Sequence, residues 1–389
     1  MPDREGRLQN EPGPSPRTGE GHLRSHPSLR VLLQRRSGED GMTTPIIEAQ
    51  ALVKHFPLTR SLANVITGQP QEVVHAVDGV SLGVQPGETL GLIGESGSGK
   101  TTLGWLLSKL HEPTAGRVLF EGKDITGLWG QELLEWRRNV QIVFQDPVGS
   151  LDPRLRVWQI VGEPIQAQEN AGREEIRKRV SELLPLVGLP AGIIDQYPHE
   201  FSGGGRQRLS LARALSVHPK VLILDEPTSA LDVAVQAQIL NRLVSLQREL
   251  ALSCMLITHN VAAVRYVADR VAVMYLGLLA EVGPVREVLE HPIHPYTKAL
   301  LAALPLPDPR RRRARYRIGG EIPTLIHPPL GCRFAARCPF VIDRCRIEDP
   351  LLRELPQHPG RAVACHRAEE IGDVPPEELI AGLGTPERA

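Results

Sequence analysis

The sequence carries no net charge, since across its 389 residues the 45 Lys and Arg equal the 45 Asp and Glu. It is also poor in aromatic residues, at 4%. Proteins that read nucleic acid use a basic face or an aromatic stacking surface, so the helicase and polymerase classes lose support and no nucleic-acid partner is expected. Long hydrophobic runs are missing too. None approaches the ~20 apolar residues needed to span a bilayer, and the best candidate, Val271 to Val282, is short and broken by Gly277. The N-terminal region has no apolar stretch of secretory type, and its arginines are mixed with Asp3, Glu5, Glu11 and Glu20, unlike a transit peptide. These absences lead us to expect a cytosolic chain, soluble or peripheral to a membrane. Cysteine is scarce. Cys254 stands alone, and Cys332, Cys338, Cys345 and Cys365 cluster late, which in a reducing compartment favours metal over disulfides.

The length exceeds one average domain, so a large α/β unit with appendages, or two domains, is expected. Residues 1 to 41 are rich in Pro, Gly, Arg and Ser and read as a disordered tail. Within it Leu23 to Arg36 reads as solvated, with a basic surface helix as the alternative, and patterned sequence begins just after Met42, an alternative translation start. Alternating apolar strands are expected at Ile46 to Val53 and Val73 to Val84, then a buried strand at Thr89 to Ile93. Further strands are expected at Gly116 to Phe120 and Val140 to Phe144, and a helical subdomain over Leu155 to Gln196. A turn over Phe201 to Gly205 then opens a helix from Arg206 to Val217. Strand Val221 to Leu224, helix Val233 to Leu250, strand Cys254 to Thr258 and helix Val261 to Ala268 continue an alternating pattern. Strands Arg270 to Tyr275 and Leu278 to Val282 close the main domain. A linker punctuated by Pro292, Pro295, Pro305, Pro307 and Pro309 follows, then the basic run Arg310 to Arg313, read as a solvated face. The cysteine-bearing unit from about 318 to 370 has few apolar runs and calls for a staple.

The chain is organised around Gly94-Glu95-Ser96-Gly97-Ser98-Gly99-Lys100-Thr101-Thr102, set between an apolar strand and the helical pattern Leu103 to Leu110. Small residues at this spacing wrap backbone N–H groups around phosphate oxygens at a helix N-terminus. Lys100 is placed to reach the β- and γ-phosphates, and the Thr101 hydroxyl to hold Mg²⁺. Val221 to Glu226 reads as a buried strand ending in two carboxylates, where an open α/β sheet places its ligands. Neighbouring strand residues face opposite ways, so Asp225 suits Mg²⁺ and Glu226 suits the attacking water. Ser202-Gly203-Gly204 offers a hydroxyl and bare amides at a helix start, a second anion cradle that makes sense if it serves nucleotide bound to another chain. An ordinary helix cap by Ser202 is the simpler alternative.

In this order, the glycine loop, Gln145, Ser202-Gly203-Gly204, Asp225-Glu226, Ser229-Ala230-Leu231-Asp232 and His259 resemble the nucleotide-binding subunits of ABC transporters over roughly residues 46 to 370. The resemblance implies a P-loop NTPase cassette with a β-rich subdomain, a RecA-like core and an inserted helical subdomain at about 150–205. It implies ATP as substrate and Mg²⁺ as cofactor. It also implies that Gln145 senses Mg²⁺ and the attacking water, that Asp232 crosses to a partner cassette, and that His259 contacts the γ-phosphate. Phe56 resembles the aromatic on which adenine stacks, with a core position as its rival. The sequence departs from the family pattern at Gly205, where the signature usually has Gln, so a side-chain contact to partner-bound nucleotide is missing.

His291-Pro292-Ile293-His294-Pro295-Tyr296-Thr297-Lys298 and the later Gly331-Cys332-Arg333-Phe334, Arg337-Cys338-Pro339 and Ala364-Cys365-His366 resemble the carboxyl-terminal extension of oligopeptide and dipeptide importer ATPases. That resemblance implies an ABC domain at 42–290, an extension at 291–370 and a tail at 371–389. It implies two permease subunits, a second cassette, more readily different than identical, and an extracytoplasmic substrate-binding protein. It further implies peptide import powered by ATP, from the cytoplasmic face of the membrane. In that family the four cysteines are associated with an iron–sulfur cluster. Here C-x5-C-x6-C-x19-C matches neither zinc-ribbon pairs nor the bacterial ferredoxin run, and [4Fe-4S], zinc and free buried thiols all stay open. The alternatives are a DNA-repair or ribosome-associated ABC ATPase and a regulatory cassette with weak hydrolysis.

Overall fold

The computed structural model describes residues 44–60, 71–229, 231–303 and 323–372. The readings of residues 1–41, of Leu23 to Arg36, of a start at Met42, of Ala230, of the Arg310 to Arg313 run and of the tail beyond 372 lie outside the described residues.

Two sheets carry the fold. The first is antiparallel, in the order β2-β1-β4-β5, from β1 (Ile47–Pro57), β2 (Val73–Val84), β4 (Ala115–Phe120) and β5 (Lys123–Asp124). The second has eight strands in the order β11-β12-β10-β9-β3-β8-β7-β6, of which β10 is Leu278–Pro284, β11 Arg353–Leu355 and β12 His358–Val363. Its parallel half comprises β9 (Arg270–Tyr275), β3 (Thr89–Ile93), β8 (Ser253–Ile257), β7 (Val221–Asp225) and β6 (Val140–Val143). In β3, β7 and β8 every residue is buried. Unbroken apolar runs of this kind are what strands covered on both faces require. The parallel strands all end at one edge, where the glycine loop and the two carboxylates emerge. Among the described residues the helices begin at Lys100–Leu107, Gly130–Arg137, Val157–Gln168, Arg173–Leu183, Gly203–Leu215, Val233–Glu249 and Val261–Val267 and continue into the carboxyl-terminal region.

Most elements fall where periodicity puts them, and the departures have local causes. The helix after Phe201 begins at Gly203, not Arg206, because Ser202 caps it, its side chain accepting from the Gly205 N–H at 3.3 Å. The apolar run Val271 to Val282 is the hairpin of β9 and β10 (Leu278–Pro284), turned at Gly277 with φ +82°.

The larger correction concerns the first part of the segment read as a linker, Pro292 and Pro295, since Pro305, Pro307 and Pro309 lie outside the described residues. Pro295 opens the helix Pro295–Ala302, where its missing N–H is not needed, and that helix is almost wholly buried. Beyond it, β12 (His358–Val363) pairs with β10 and with β11 (Arg353–Leu355), so the carboxyl-terminal region extends the main sheet. Polar groups do much of the fastening. Glu281 and Arg361, 0% and 2% exposed, pair at 2.6 Å, and Glu281 also accepts from the N–H groups of Ile293 and His294 at 3.0 Å each. A buried ion pair persists only when its remaining lone pairs are satisfied in this way. Buried Lys298 donates to the carbonyls of Ile371 and Gly372 at 2.6 and 3.2 Å.

His294 caps the buried helix through Nδ1, which accepts from the Tyr296 N–H at 3.0 Å, and burial holds its pKa down at about 4. It is neutral when folded, whereas the unfolded chain takes up a proton below about 6.5. Stability from this group is therefore full above pH 6.5 and lost as pH falls through 4, in all about 3 kcal/mol. Urea unfolding at pH 7 and pH 4.5 should show a shallower loss for His294→Asn, which keeps a capping oxygen without the titration. Equal loss in both proteins would place the acid sensitivity elsewhere.

Candidate functional site

At the end of β3 the chain turns through Gly94 to Gly99 into the helix Lys100–Leu107. Two glycines are required by space as well as by conformation. Gly94 has φ +155° and Gly99 φ +100°, and a Cβ at either would lie 2.1 Å from a backbone carbonyl, of Met274 and Ala76 respectively. Lys100 is folded over the loop, its Nζ donating to the carbonyls of Gly94 at 2.9 Å and Glu95 at 2.8 Å and to Ser98 Oγ at 3.3 Å. Burial lowers its pKa, against the attraction of Glu226, Asp225 and Glu95.

Asp225 closes β7, almost wholly buried, and accepts from Thr101 Oγ1 at 3.1 Å. Burial pushes its pKa up, with the neighbouring Glu226 charge adding to the effect and the Thr101 bond opposing it. Glu226 follows in the left-handed region at φ +48°, a conformation that costs a non-glycine residue roughly 1 kcal/mol or more. Its N–H donates to the Ile257 carbonyl at 2.8 Å, and its Oε1 lies 2.9 Å from Nδ1 of His259, which is 69% exposed. The two carboxylates thus face different partners, Thr101 and His259. Lys100, Thr101, Asp225, Glu226 and His259 form one group, in which a hydroxyl and a carboxylate offer oxygen donors to a hard divalent cation.

The other expected residues lie on neighbouring elements. Ser202 and Asp232 cap the helices Gly203–Leu215 and Val233–Glu249, and Asp232 accepts from the Val235 N–H at 2.9 Å. A Cβ at Gly203 would lie 3.1 Å from Leu231 and one at Gly204 2.5 Å from Val235, so the signature helix packs on the residues flanking Asp232. Gly205 lies against Phe201, at 3.1 Å from a would-be Cβ, so a side chain there makes Phe201 yield by a few tenths of an ångström. Gln145 is exposed beyond β6. Phe56 is half-buried and outside the hydrophobic clusters of the described residues, with Lys54 Nζ 5.1 Å from its ring centre and His111 edge-on at 5.6 Å. Ser96, Gly97 and Thr102 complete the loop and the first turn of its helix.

Cys254 is a buried strand residue with its thiol pushed up to about 12. Cys332, Cys338, Cys345 and Cys365 line one pocket with His294, Phe334 and His366, and none is in a disulfide. Burial pushes Cys332 and Cys338 to about 12 and Cys365 to about 11. Among the described residues, no three of these sulfurs lie within 4.8 Å of one another. His55, His75 and Asp78 do approach that closely, but Asp78 is already ion-paired with Arg333.

Sequence reasoning missed the residues around Glu95. Its N–H donates to Tyr296 Oη and its carboxylate pairs with Arg337, partners 201 and 242 residues away in the chain. No local pattern carries that signal.

Comparison with known proteins decides the family. The profile described as ABC transporter matches residues 77–229, and that described as oligopeptide/dipeptide transporter, C-terminal region, matches residues 280–345. The chain belongs to the ABC transporter ATP-binding proteins. It is 48% identical to the probable peptide ABC transporter ATP-binding protein y4tS of Sinorhizobium fredii, over 84% of this chain and 90% of that one. It is 45% identical to the di/tripeptide transport ATP-binding protein DppF of Pseudomonas aeruginosa, over 84% and 98%. Among solved structures, the dimeric bacterial ABC transporter cassette MJ0796 superposes with a TM-score of 0.54 at 28% identity, covering 62% of this chain and 99% of that one. A post-hydrolysis state of the same cassette bound to ADP and Pi gives 0.54 at 27% identity, over 62% and 99%. This ABC subunit is an ATPase of the P-loop α/β fold. The two alternatives, a non-transport ATPase and a regulatory cassette, are not favoured. No helix among the described residues is long and apolar enough to cross a membrane.

Gly99→Ala should abolish nucleotide binding and destabilise the fold by at least about 1–3 kcal/mol, since both φ and the Ala76 carbonyl oppose a methyl group there. Fluorescent-nucleotide titration and urea unfolding read the two effects. Normal binding by that variant would mean that the loop deforms freely.

Proposed function

We propose that this subunit powers import of peptides or related small solutes, working with two membrane permeases and a second cassette at the cytoplasmic face of the membrane. An extracytoplasmic binding protein would deliver the cargo. The observation that carries the reading is the convergence of Lys100, Thr101, Asp225, Glu226 and His259 at one sheet edge, in a chain whose carboxyl-terminal region matches the oligopeptide/dipeptide transporter profile. The domain division follows: a cassette at 42–290 with a helical part at about 150–205, then the extension at 291–370.

In the proposed mechanism the amides of the Gly94 to Thr102 loop, other than that of Glu95, which is held by Tyr296, cradle the phosphates, and Lys100 exchanges its loop carbonyls for phosphate oxygens. Thr101, Asp225 and Gln145 would hold Mg²⁺, which offsets charge on the β- and γ-oxygens when bound. Asp225 suits this role, because its proton affinity is raised by burial and a cation beside it opposes that rise. Glu226 orients and polarises the attacking water, and His259, held by Glu226 at 2.9 Å, reaches the γ-phosphate. Phe56 stacks adenine. Ser202, Gly203 and Gly204 cap nucleotide on the partner cassette, towards which Asp232 also extends. That signature lacks a side chain at Gly205, which weakens the site it completes.

For the cysteine pocket we favour an iron–sulfur cluster. The C-x5-C-x6-C-x19-C spacing lacks the compact pairs of a zinc ribbon. Four thiols that line one pocket with no disulfide among them suit a cluster in which each thiolate binds a different iron. Such a group would cross-link segments that have no disulfide.

Glu226→Gln should bind ATP, lose at least about 99% of turnover, consistent with loss of a general base, and accumulate ATP-bound dimers by size exclusion. Wild-type turnover would remove Glu226 from its role, and uptake of labelled peptide by reconstituted vesicles tests the transport reading itself. Anaerobically purified protein should contain iron and acid-labile sulfide in equal amounts. One zinc per chain would sink the cluster.

A further inference from the structure

The phosphate loop is gripped from outside by the carboxyl-terminal region, through groups that take no part in the mechanism above. Glu95, the second residue of the loop, donates its N–H to Tyr296 Oη at 2.8 Å. Its carboxylate receives both arms of Arg337, at 3.1 and 3.2 Å, and Arg337 also donates to Tyr275 Oη at 3.1 Å. The Arg337 side chain is only 6% exposed. Tyr275, Tyr296 and Phe334 pack ring against ring around it, with centroids 4.5 to 5.6 Å apart. A forked pair in so dry a setting fixes orientation as well as distance.

Arg333 steadies the opposite wall of the loop. It donates to the Leu276 carbonyl and to Asp78. Leu276 begins the β9–β10 turn, whose Gly277 N–H donates to the Ser98 carbonyl at 2.9 Å, while the Asp78 N–H donates to the Gly277 carbonyl at 3.0 Å. Both arginines lie between Cys332 and Cys338, each next to a cysteine. The segment is folded tightly by bonds from Cys332 N–H to the Cys345 carbonyl at 2.8 Å and from Ala335 N–H to the Cys332 carbonyl at 2.9 Å.

We infer that the segment Cys332 to Cys338 is a clamp on the phosphate loop: Arg337 and Tyr296 are positioning residues acting through Glu95, Arg333 acts through the Leu276 turn, and nucleotide on the loop and order in the cysteine pocket stabilise each other. The inference rests on the proposed nucleotide site and is indifferent to which metal centre the cysteines hold. Coupling of this kind is reciprocal by thermodynamic necessity. Whatever loosens the pocket weakens nucleotide binding, and nucleotide protects the pocket.

Two experiments on the full-length protein test it. Hydrogen exchange of the backbone amides from Cys332 to Cys338, read by mass spectrometry, should slow several-fold when Mg-ADP is present, and equal rates overturn the clamp. Affinity for methylanthraniloyl-ADP should fall about tenfold in Arg337→Ala and in Glu95→Ala, and no further in the double variant, because the two side chains act as one pair. Additive losses overturn it. Arg337→Lys should recover part of the affinity, and Tyr296→Phe, which removes the acceptor of the Glu95 N–H and keeps the ring, should weaken binding as well. Absence of nucleotide binding in the wild-type protein would instead overturn the ATP site and the clamp with it, whereas tight binding with indifferent amide exchange overturns the clamp alone.

Discussion

Backbone lies directly on backbone beneath the phosphate loop, and the positions of the neighbouring strands follow from that contact. Gly94 rests on the Met274 carbonyl of β9, and Gly99 on the Ala76 carbonyl of β2. Each approach leaves no room for a side chain, so the eight-stranded sheet, the antiparallel sheet and the start of the helix Lys100–Leu107 are locked at one point. Interiors are packed too densely for such a contact to drift by even a methyl group. The loop is a rigid seat, and the N–H groups at the helix start are presented before any ligand arrives.

Burial at that seat works against charge. It lowers the pKa of Lys100 and raises that of Asp225, pushing each towards its neutral form. Their mutual attraction resists, and so does the Thr101 bond to Asp225. A site in this condition favours incoming charge: phosphate oxygens would replace the carbonyls now held by Lys100, and a divalent cation would replace the hydroxyl proton now offered to Asp225. Glu226 adds a carboxylate turned out of the strand by its left-handed backbone, with His259 as its partner. The strain at φ +48° fixes where that carboxylate points.

How much of this was legible depended on sequence distance. The glycine loop, the strand Val221–Asp225 and the helix caps at Ser202 and Asp232 are local patterns, and unbroken apolar runs marked the buried parallel strands. The convergence of Thr101 on Asp225 and of Glu226 on His259 followed once the parallel topology was assumed, because these residues sit at the same edge. The start of the extension, where the buried helix Pro295–Ala302 lies, was misread as a linker, since prolines dominate its composition and its polar ties join residues far apart. Arg361 finds Glu281 across 80 positions, Lys298 finds Ile371 across 73 and Arg337 finds Glu95 across 242. Periodicity reports which face of an element is buried, and it is silent on which distant charge will be waiting there.

The same distances explain why the extension depends on polar fastening. Its own apolar cluster is thin, consisting of Ile293, Leu355, Val363 and Ala368 with Cys365 against it. So small a core leaves little hydrophobic driving force, and a region of this kind needs cross-links or docking to stay folded. Docking is supplied by β12 on the main sheet and by arginines that reach into the ATPase core. Arg333 and Arg337 grip from a segment whose ends are Cys332 and Cys338, so whatever fixes those cysteines fixes the grip. A metal centre proposed as a staple and a clamp inferred on the phosphate loop are in this sense one mechanical element, in which the folding requirement of the extension and the rigidity of the nucleotide seat are met by the same seven residues.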